Sequence, residues 1–181
     1  MVFDDGATSD KIAEREVLDW PTFGEAMREL AREVIKSGWV PDLIVAVARG
    51  GLLPAGAISY AMGVKAIGTM NVEFYTDIAE TLPEPVLLPP LMDVSALDGK
   101  RVLVVDDVAD SGKTLKMVMD LIRERGLSLD GETTVRVDAK CAVIYEKSRS
   151  IIKPDFVWKH TDLWINFPWS TLPVVSAEDD H

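Results

Sequence analysis

Residues 102–114 combine an apolar run, three carboxylates and a turn of small polar residues (Val-Leu-Val-Val-Asp-Asp-Val-Ala-Asp-Ser-Gly-Lys-Thr). Asp106 and Asp107 directly follow the apolar run, and Asp110 comes just before the turn. Paired carboxylates can bind sugar hydroxyls or a hard cation such as Mg²⁺. The turn consists of Ser111, Gly112, Lys113 and Thr114. Because a helical pattern follows, the backbone N–H groups of the turn and the positive end of the helix favour a phosphate there. The segment therefore offers a site for a phosphorylated sugar.

A buried strand and a helix must position this segment. Val102–Val105 is a continuous apolar run, which is typical of a strand covered on both faces. Apolar residues recur at helical spacing after the turn, and Gly126 can end that helix. Further strands are predicted at 43–48, 64–75, 135–145 and 155–159, and further helices at 20–37 and 53–62. Alternating strands and helices predict an α/β fold, a parallel sheet flanked by helices, which binds ligands at the carboxyl ends of its strands.

The sequence from Val104 to Thr114 resembles the phosphoribosyl-pyrophosphate (PRPP) loop of type I phosphoribosyltransferases. The resemblance implies the fold of that family. It also implies that Asp106, Asp107 and the turn at 111–114 bind PRPP, that the two acids bind Mg²⁺, and that Asp110 is the catalytic base.

Two other interpretations of this motif exist. A Walker A loop needs a glycine five residues before its Gly-Lys-Thr, and Asp107 occupies that position, where its carboxylate would face the phosphates of a nucleotide. An ordinary acidic turn after a core strand would bind nothing. The spacing of three acids before Ser-Gly-Lys-Thr favours the PRPP loop.

A second motif, Ala48-Arg49-Gly50-Gly51, lies between a predicted strand and a predicted helix. Glycines permit close approach of a ligand to the backbone, and an arginine can donate two parallel hydrogen bonds to phosphate oxygens. Such turns are common, so the motif is weak alone. Beside the first motif it resembles the pyrophosphate loop of the same family. The resemblance implies that Arg49 and Gly50 bind pyrophosphate and that a cis non-proline peptide bond lies near Arg49.

A third motif is the aromatic segment Asp162–Trp169. It could simply seal the core, or it could form a flat apolar slot for a planar ring. It is similar to the base-binding segment of bacterial xanthine-guanine and archaeal 6-oxopurine phosphoribosyltransferases. The resemblance implies that Trp164 and Ile165 contact the base, that Lys147 donates to its 6-oxo group, and that residues 160–181 form a small base-binding hood and tail.

Two positions depart from those relatives. They usually carry an aspartate after the Pro-Trp pair, which helps to organise magnesium and pyrophosphate, whereas this chain has Ser170. They also vary at the position of Asn166, which leaves the choice among guanine, xanthine and hypoxanthine open.

Composition excludes several classes of protein. The net charge of −11 is spread along the chain, which argues against a nucleic-acid-binding surface. The sequence has no apolar run long enough to cross a membrane, so no membrane association is expected. The only cysteine, Cys141, cannot form an internal disulfide, which agrees with a cytoplasmic location.

We predict one domain over residues 1–181, with a loose lead-in at 1–18 and a mobile, proline-containing loop at 76–93 that covers the site. Aromatic residues near the C-terminus favour a homo-oligomer. The expected reaction transfers ribose 5-phosphate from PRPP to a 6-oxopurine. The alternatives are a regulator that senses PRPP without chemistry, and transfer to another base.

Overall fold

The structure, a computed structural model, describes residues 14–71, 98–128 and 134–176. The predicted loop at 76–93, residues 1–13 of the predicted lead-in and the last five residues of the tail lie outside the described residues. In chain order the elements are β1 (Arg15–Val17), α1 (Trp20–Lys36), β2 (Leu43–Ala48), α2 (Leu52–Met62), β3 (Ile67–Asn71), β4 (Arg101–Ala109), α3 (Lys113–Arg125), β5 (Leu127–Ser128), β6 (Thr134–Val135), β7 (Asp138–Glu146), β8 (Phe156–His160) and β9 (Trp164–Asn166).

Five parallel strands form the central sheet in the order β3-β2-β4-β7-β8. The predicted α/β fold is therefore confirmed. After β2 the chain moves to the β3 edge, whereas after β4 it moves the other way, to β7. Strand order thus reverses between β2 and β4, and a crevice at such a reversal is where open α/β sheets bind ligands.

Helices cover both faces of the sheet. Helices α1 and α2 pack on one face, in a core that includes Leu30, Ile58 and Leu103, and α3 packs on the other, in a core that includes Val104 and Met119. Helix α1 begins where the Asp19 side chain accepts a 2.8 Å hydrogen bond from the Thr22 N–H, as an N-cap residue does. No helix among the described residues is long and apolar enough to cross a membrane.

Several boundaries differ from the prediction, and β3, predicted from residue 64, begins at Ile67. Strand β4 does not end at Val105 but continues to Ala109, because β7 pairs with it as far as Ala109 and Glu146. Asp106 and Asp107 therefore lie within the strand rather than after it. The predicted strand at 135–145 is divided into β6, which pairs with β5, and β7.

The loose lead-in predicted for residues 1–18 is wrong for its last residues. Strand β1 pairs in parallel with β9, and Leu18 is buried. The Tyr145 hydroxyl and the Lys159 ammonium both bond to the Glu16 carboxylate, which joins β1 to the central sheet. The C-terminal hood thus includes an N-terminal strand that local sequence patterns did not predict.

Gly51 is expected to tolerate no side chain. A Cβ at this position would overlap the carbonyl oxygen of Val105 and would lie 2.7 Å from that of Val47. Overpacking of this kind costs about 1–3 kcal/mol, and these neighbours are backbone atoms that cannot rotate away. We expect Gly51→Ala to lower the free energy of unfolding by at least that amount, measured by urea denaturation.

The matched control is Gly56→Ala in α2, where a Cβ would meet no atom within 4 Å. Alanine inside a helix is more stable than glycine by about 0.5–1 kcal/mol, so this variant should be slightly stabilised. Equal effects of the two variants would contradict the packing argument.

Candidate active site

The loops that follow β2 and β4 lie against each other at the carboxyl edge of the sheet. A Cβ on Gly50 would overlap the Asp107 carboxylate, so only glycine permits this approach. The Ala48–Arg49 peptide bond is cis, as the resemblance implied, and the Arg49 side chain is exposed. The structure therefore places the second motif directly beside the paired acids of the first.

The paired acids are only partly accessible and lie close together. The Asp107 N–H donates a 2.9 Å hydrogen bond to the Asp106 carboxylate. Burial raises the pKa of Asp106 well above its usual range, and the charge of Asp107 raises it further. Burial also raises the pKa of Asp107 to about 6. Among the described residues, neither carboxylate has an ion-pair partner.

This uncompensated pair suits a divalent cation. Mg²⁺ is commonly held by one or two carboxylates together with waters and substrate oxygens, so two acids are sufficient. No cluster of three or more His, Cys, Asp or Glu side chains with metal-binding geometry occurs in the part of the chain that the structure describes. A cation at Asp106 and Asp107 would therefore complete its coordination with waters and substrate oxygens.

The turn at 111–114 leads into α3, which begins at Lys113. Gly112 has a φ of +73°, and a Cβ there would overlap the Ser150 hydroxyl. The Ile151 N–H donates to the Ser111 carbonyl at 3.0 Å, which holds the turn against the loop after β7. A rigid turn at a helix start is the arrangement that favours phosphate binding.

A cavity of about 330 Å³ lies between the sheet edge and the hood. Its volume is within the range of small-molecule sites. Its walls are formed by Arg15, Val108, Asp110, Lys147, Trp164, Ile165, Asn166, Phe167, Ser170 and Thr171. The structure thus gathers four predicted site residues, Asp110, Lys147, Trp164 and Ile165, around one cavity.

Asp110 and Lys147 face each other in this cavity. The Lys147 ammonium is buried and lies 3.6 Å from Asp110 Oδ1. The Arg149 guanidinium also contacts Oδ1, with its Nε 2.8 Å away. Sequence reasoning missed Arg149, because an exposed arginine in a loop belongs to no motif or periodic pattern.

The aromatic segment has residues that suit each of the two interpretations made from sequence, sealing of the core and contact with a planar ring. Phe167 and Trp169 stack at 4.9 Å and belong to the core region, so they seal it. Phe167 also lines the cavity, but Trp164 is 68% exposed there, so its ring is the more available to a ligand. Residues that alternate along an extended chain point to opposite sides, which explains how one segment does both.

Arg15, Asn166 and Ser170 also line the cavity. Arg15 Nη1 donates to Asn166 Oδ1 at 3.2 Å, across the pairing of β1 with β9. Arg15 was absent from the sequence prediction. It reaches the cavity only because β1 pairs with β9, which brings Arg15 to a residue 151 positions away in the chain.

Comparisons with known proteins agree with this geometry. The chain is 33% identical over 133 residues to the xanthine-guanine phosphoribosyltransferase of Gluconobacter oxydans. The alignment covers 72% of this chain and 70% of that protein. It is 32% identical over 155 residues to the enzyme of the same name from Idiomarina loihiensis, which covers 84% of each chain. Among solved structures, the purine phosphoribosyltransferase of Pyrococcus horikoshii superposes with a TM-score of 0.69 at 32% identity, covering 90% of this chain and 97% of that one. The phosphoribosyl transferase domain model matches residues 14–173, and the chain belongs to this family.

Proposed function

We propose that this enzyme transfers ribose 5-phosphate from PRPP to a 6-oxopurine, giving a nucleoside monophosphate and pyrophosphate. The observation that carries the proposal is the pairing of a buried lysine with a carboxylate at 3.6 Å in a cavity next to the paired acids. A 6-oxopurine presents O6 and N7 side by side on one edge. Lys147 would donate to O6, and Asp110 would accept the proton that the ring nitrogen loses. The names of the relatives support the same substrate class.

The remaining predicted residues would bind the sugar, phosphate and pyrophosphate groups of PRPP. The amides of the turn at 111–114 and the start of α3 would hold the 5-phosphate. Asp106 and Asp107 would bind the ribose hydroxyls, and Arg49 with the amide of Gly50 would stabilise the charge of departing pyrophosphate. As the purine nitrogen bonds to the sugar carbon, the bond from that carbon to pyrophosphate breaks and the purine proton passes to Asp110. Catalysis then rests mainly on placement and on stabilisation of charge.

Mg²⁺ is part of the proposal. Asp106 and Asp107 would hold it, since burial raises the pKa values of both carboxyls, the charge of Asp107 raises that of Asp106 further, and neither has an ion-pair partner among the described residues. When bound, the ion would neutralise charge on the pyrophosphate group. Ser170 supplies a hydroxyl where relatives were expected to carry an aspartate, so a second metal position would have one fewer carboxylate.

The direct test is pyrophosphate release from PRPP with guanine, xanthine, hypoxanthine, adenine and uracil in turn. Release with the three oxopurines and little with the others is the expected result. Release with adenine or uracil alone would show that the substrate is not a 6-oxopurine. PRPP binding without release for any base would favour the non-catalytic regulator.

Lys147 is expected to decide between a 6-oxo and a 6-amino group. Adenine places a donor where Lys147 also donates, and a buried mismatch of this kind is costly. Lys147→Met removes a charge-assisted hydrogen bond worth about 1.5–3 kcal/mol, so kcat/KM for the oxopurines should fall by about 10- to 150-fold. The measurement is initial-rate kinetics, and Lys36→Met, at the exposed end of α1, is the control. Equal losses in both variants would contradict the role of Lys147.

Self-association and a cytoplasmic location also remain proposals. Helix α2 supports self-association, because its large apolar residues Leu52, Leu53 and Tyr60 are exposed to solvent. Tyr60 is 92% exposed. A second copy of the chain would cover such a surface. Light scattering in solution would measure the oligomeric state.

A further inference from the structure

The polar side chains of the cavity fall into two groups. Asp110 and Lys147 directly follow the central strands β4 and β7. Arg15 and Asn166 lie on the paired hood strands β1 and β9, and the two hydroxyl residues Ser170 and Thr171 follow β9. If the O6 and N7 edge of a purine binds Asp110 and Lys147, as proposed above, its C2 end faces the hood group.

The hood strands hold Arg15 and Asn166 on the same side as Trp164. Trp164 and Asn166 are two positions apart on β9 and therefore share a face. Arg15 is the register partner of Trp164 on β1, and the two are exposed together, whereas Ile165 is buried on the opposite face. A ring stacked on Trp164 would therefore have the Arg15 and Asn166 side chains near its edge.

Several acceptors near this end of the cavity are already engaged. Asn166 Oδ1 accepts from Arg15, which occupies one of its two lone pairs, and the amide nitrogen keeps its two N–H groups for a ligand. The Asn166 carbonyl accepts from the Leu18 N–H at 3.0 Å. The Phe167 carbonyl accepts from the Ser170 N–H at 3.1 Å and from the Thr171 hydroxyl at 2.6 Å.

The Arg15 and Asn166 side chains thus offer a ligand mainly hydrogen-bond donors. Arginine has five N–H donors and no acceptor, and the Asn166 amide adds two more donors. The Thr171 hydroxyl gives its only proton to the Phe167 carbonyl, so it can only accept from a ligand, whereas the Ser170 hydroxyl can donate or accept. A 2-oxo group therefore meets complementary partners in Arg15 and Asn166, whereas a 2-amino group would meet further donors there and could bond only to the hydroxyl oxygens of Ser170 and Thr171.

We propose that Arg15 and Asn166 are specificity-determining residues that select a 2-oxo purine, xanthine, over the 2-amino purine guanine. The inference rests on the proposed function for the orientation of the base. Arg15 also supplies a positive charge, which favours the more acidic of the two bases. Hypoxanthine carries no substituent at C2 and is therefore an internal reference for the rest of the site.

The test measures kcat/KM for xanthine, guanine and hypoxanthine with saturating PRPP and Mg²⁺. The wild-type protein should prefer xanthine to guanine by about 10-fold or more, the size expected for one charge-assisted hydrogen bond. Arg15→Met should lower kcat/KM for xanthine by about 10- to 100-fold and leave hypoxanthine within about threefold. Asn166→Asp, which adds an acceptor, should move the ratio toward guanine. Arg32→Met, on the exposed side of α1, is the matched control and should change no ratio.

Two results would overturn the inference. One is a wild-type preference for guanine. The other is a loss in Arg15→Met that is equal for all three bases, since that would mean a structural role for Arg15 in holding the hood.

Calorimetric titration with the product nucleotides XMP and GMP separates this inference from the proposed function. If no base is turned over but XMP binds more tightly than GMP in an Arg15-dependent manner, the proposed reaction fails and the selectivity stands. If turnover occurs but XMP and GMP bind equally in wild type and in Arg15→Met, the selectivity fails and the reaction stands.

Discussion

Asp110→Asn is expected to lower kcat by about 10²–10⁴-fold, the usual contribution of a general base, while PRPP binding changes little. The asparagine keeps the shape of the side chain and the contacts of its Oδ1 atom, but it cannot take a proton from the purine. Single-turnover kinetics with a 6-oxopurine would measure the chemical step, and titration calorimetry would measure PRPP binding. A full rate with normal PRPP binding would show that Asp110 is not the base.

Arg149→Met tests whether the effect of Asp110→Asn comes from the loss of the proton acceptor or from the loss of the ion pair with Arg149. It removes the guanidinium that contacts Asp110 Oδ1 but leaves the carboxylate and Lys147 in place. Because Arg149 is exposed, its ion pair is worth little, and we expect kcat to fall by less than about tenfold. A loss as large as that of Asp110→Asn would mean that the ion pair, not proton transfer, explains the first result.

Asp107→Asn is expected to make the free protein more stable and the enzyme much less active. Asp106 and Asp107 are adjacent, partly buried carboxylates, and burial raises the pKa of Asp107 to about 6. Removing one charge relieves this cost, on the order of 2 kcal/mol at pH 8. It also removes a predicted ligand for Mg²⁺ and PRPP, so ligand-induced stabilisation should largely disappear.

The pH dependence follows from the direction of the pKa shift. The folded protein keeps a proton on Asp107 up to about pH 6, whereas the unfolded chain releases it near the ordinary value of 3.8. Between these values the folded state binds more protons, so the contribution of this group to stability falls as the pH rises. The gain in Asp107→Asn should therefore be absent near pH 3.5 and complete above about pH 7, measured by thermal unfolding without ligands.

Asp120→Asn is the control for this experiment. Asp120 lies on α3 in an exposed ion pair with Lys116, so its replacement should change stability by less than about 0.5 kcal/mol at any pH. A wild-type protein whose stability rises steadily from pH 4 to pH 8, unchanged by Asp107→Asn, would contradict the buried-pair argument.

The sequence by itself determined the β4–α3 segment and the class of the fold. The apolar run at 102–105, the three acids and Gly112 are neighbours in the chain, so their local geometry follows from strand, turn and helix rules without knowledge of the rest. The same holds for strand β2 and for the Arg49-Gly50-Gly51 turn that follows it, because this turn is also recognised from a short stretch of sequence.

Tertiary structure decided what faces the base. Strand β4 extends through both acids because β7 provides hydrogen-bonding partners there, and an isolated strand pattern cannot report the length of its neighbour. The Lys147 ammonium reaches Asp110 because adjacent parallel strands end at the same edge of the sheet. Arg15 reaches Asn166 because β1 pairs with β9 across almost the whole chain. Local sequence patterns determine helices, strands and turns, whereas contacts between distant residues depend on how those elements pack.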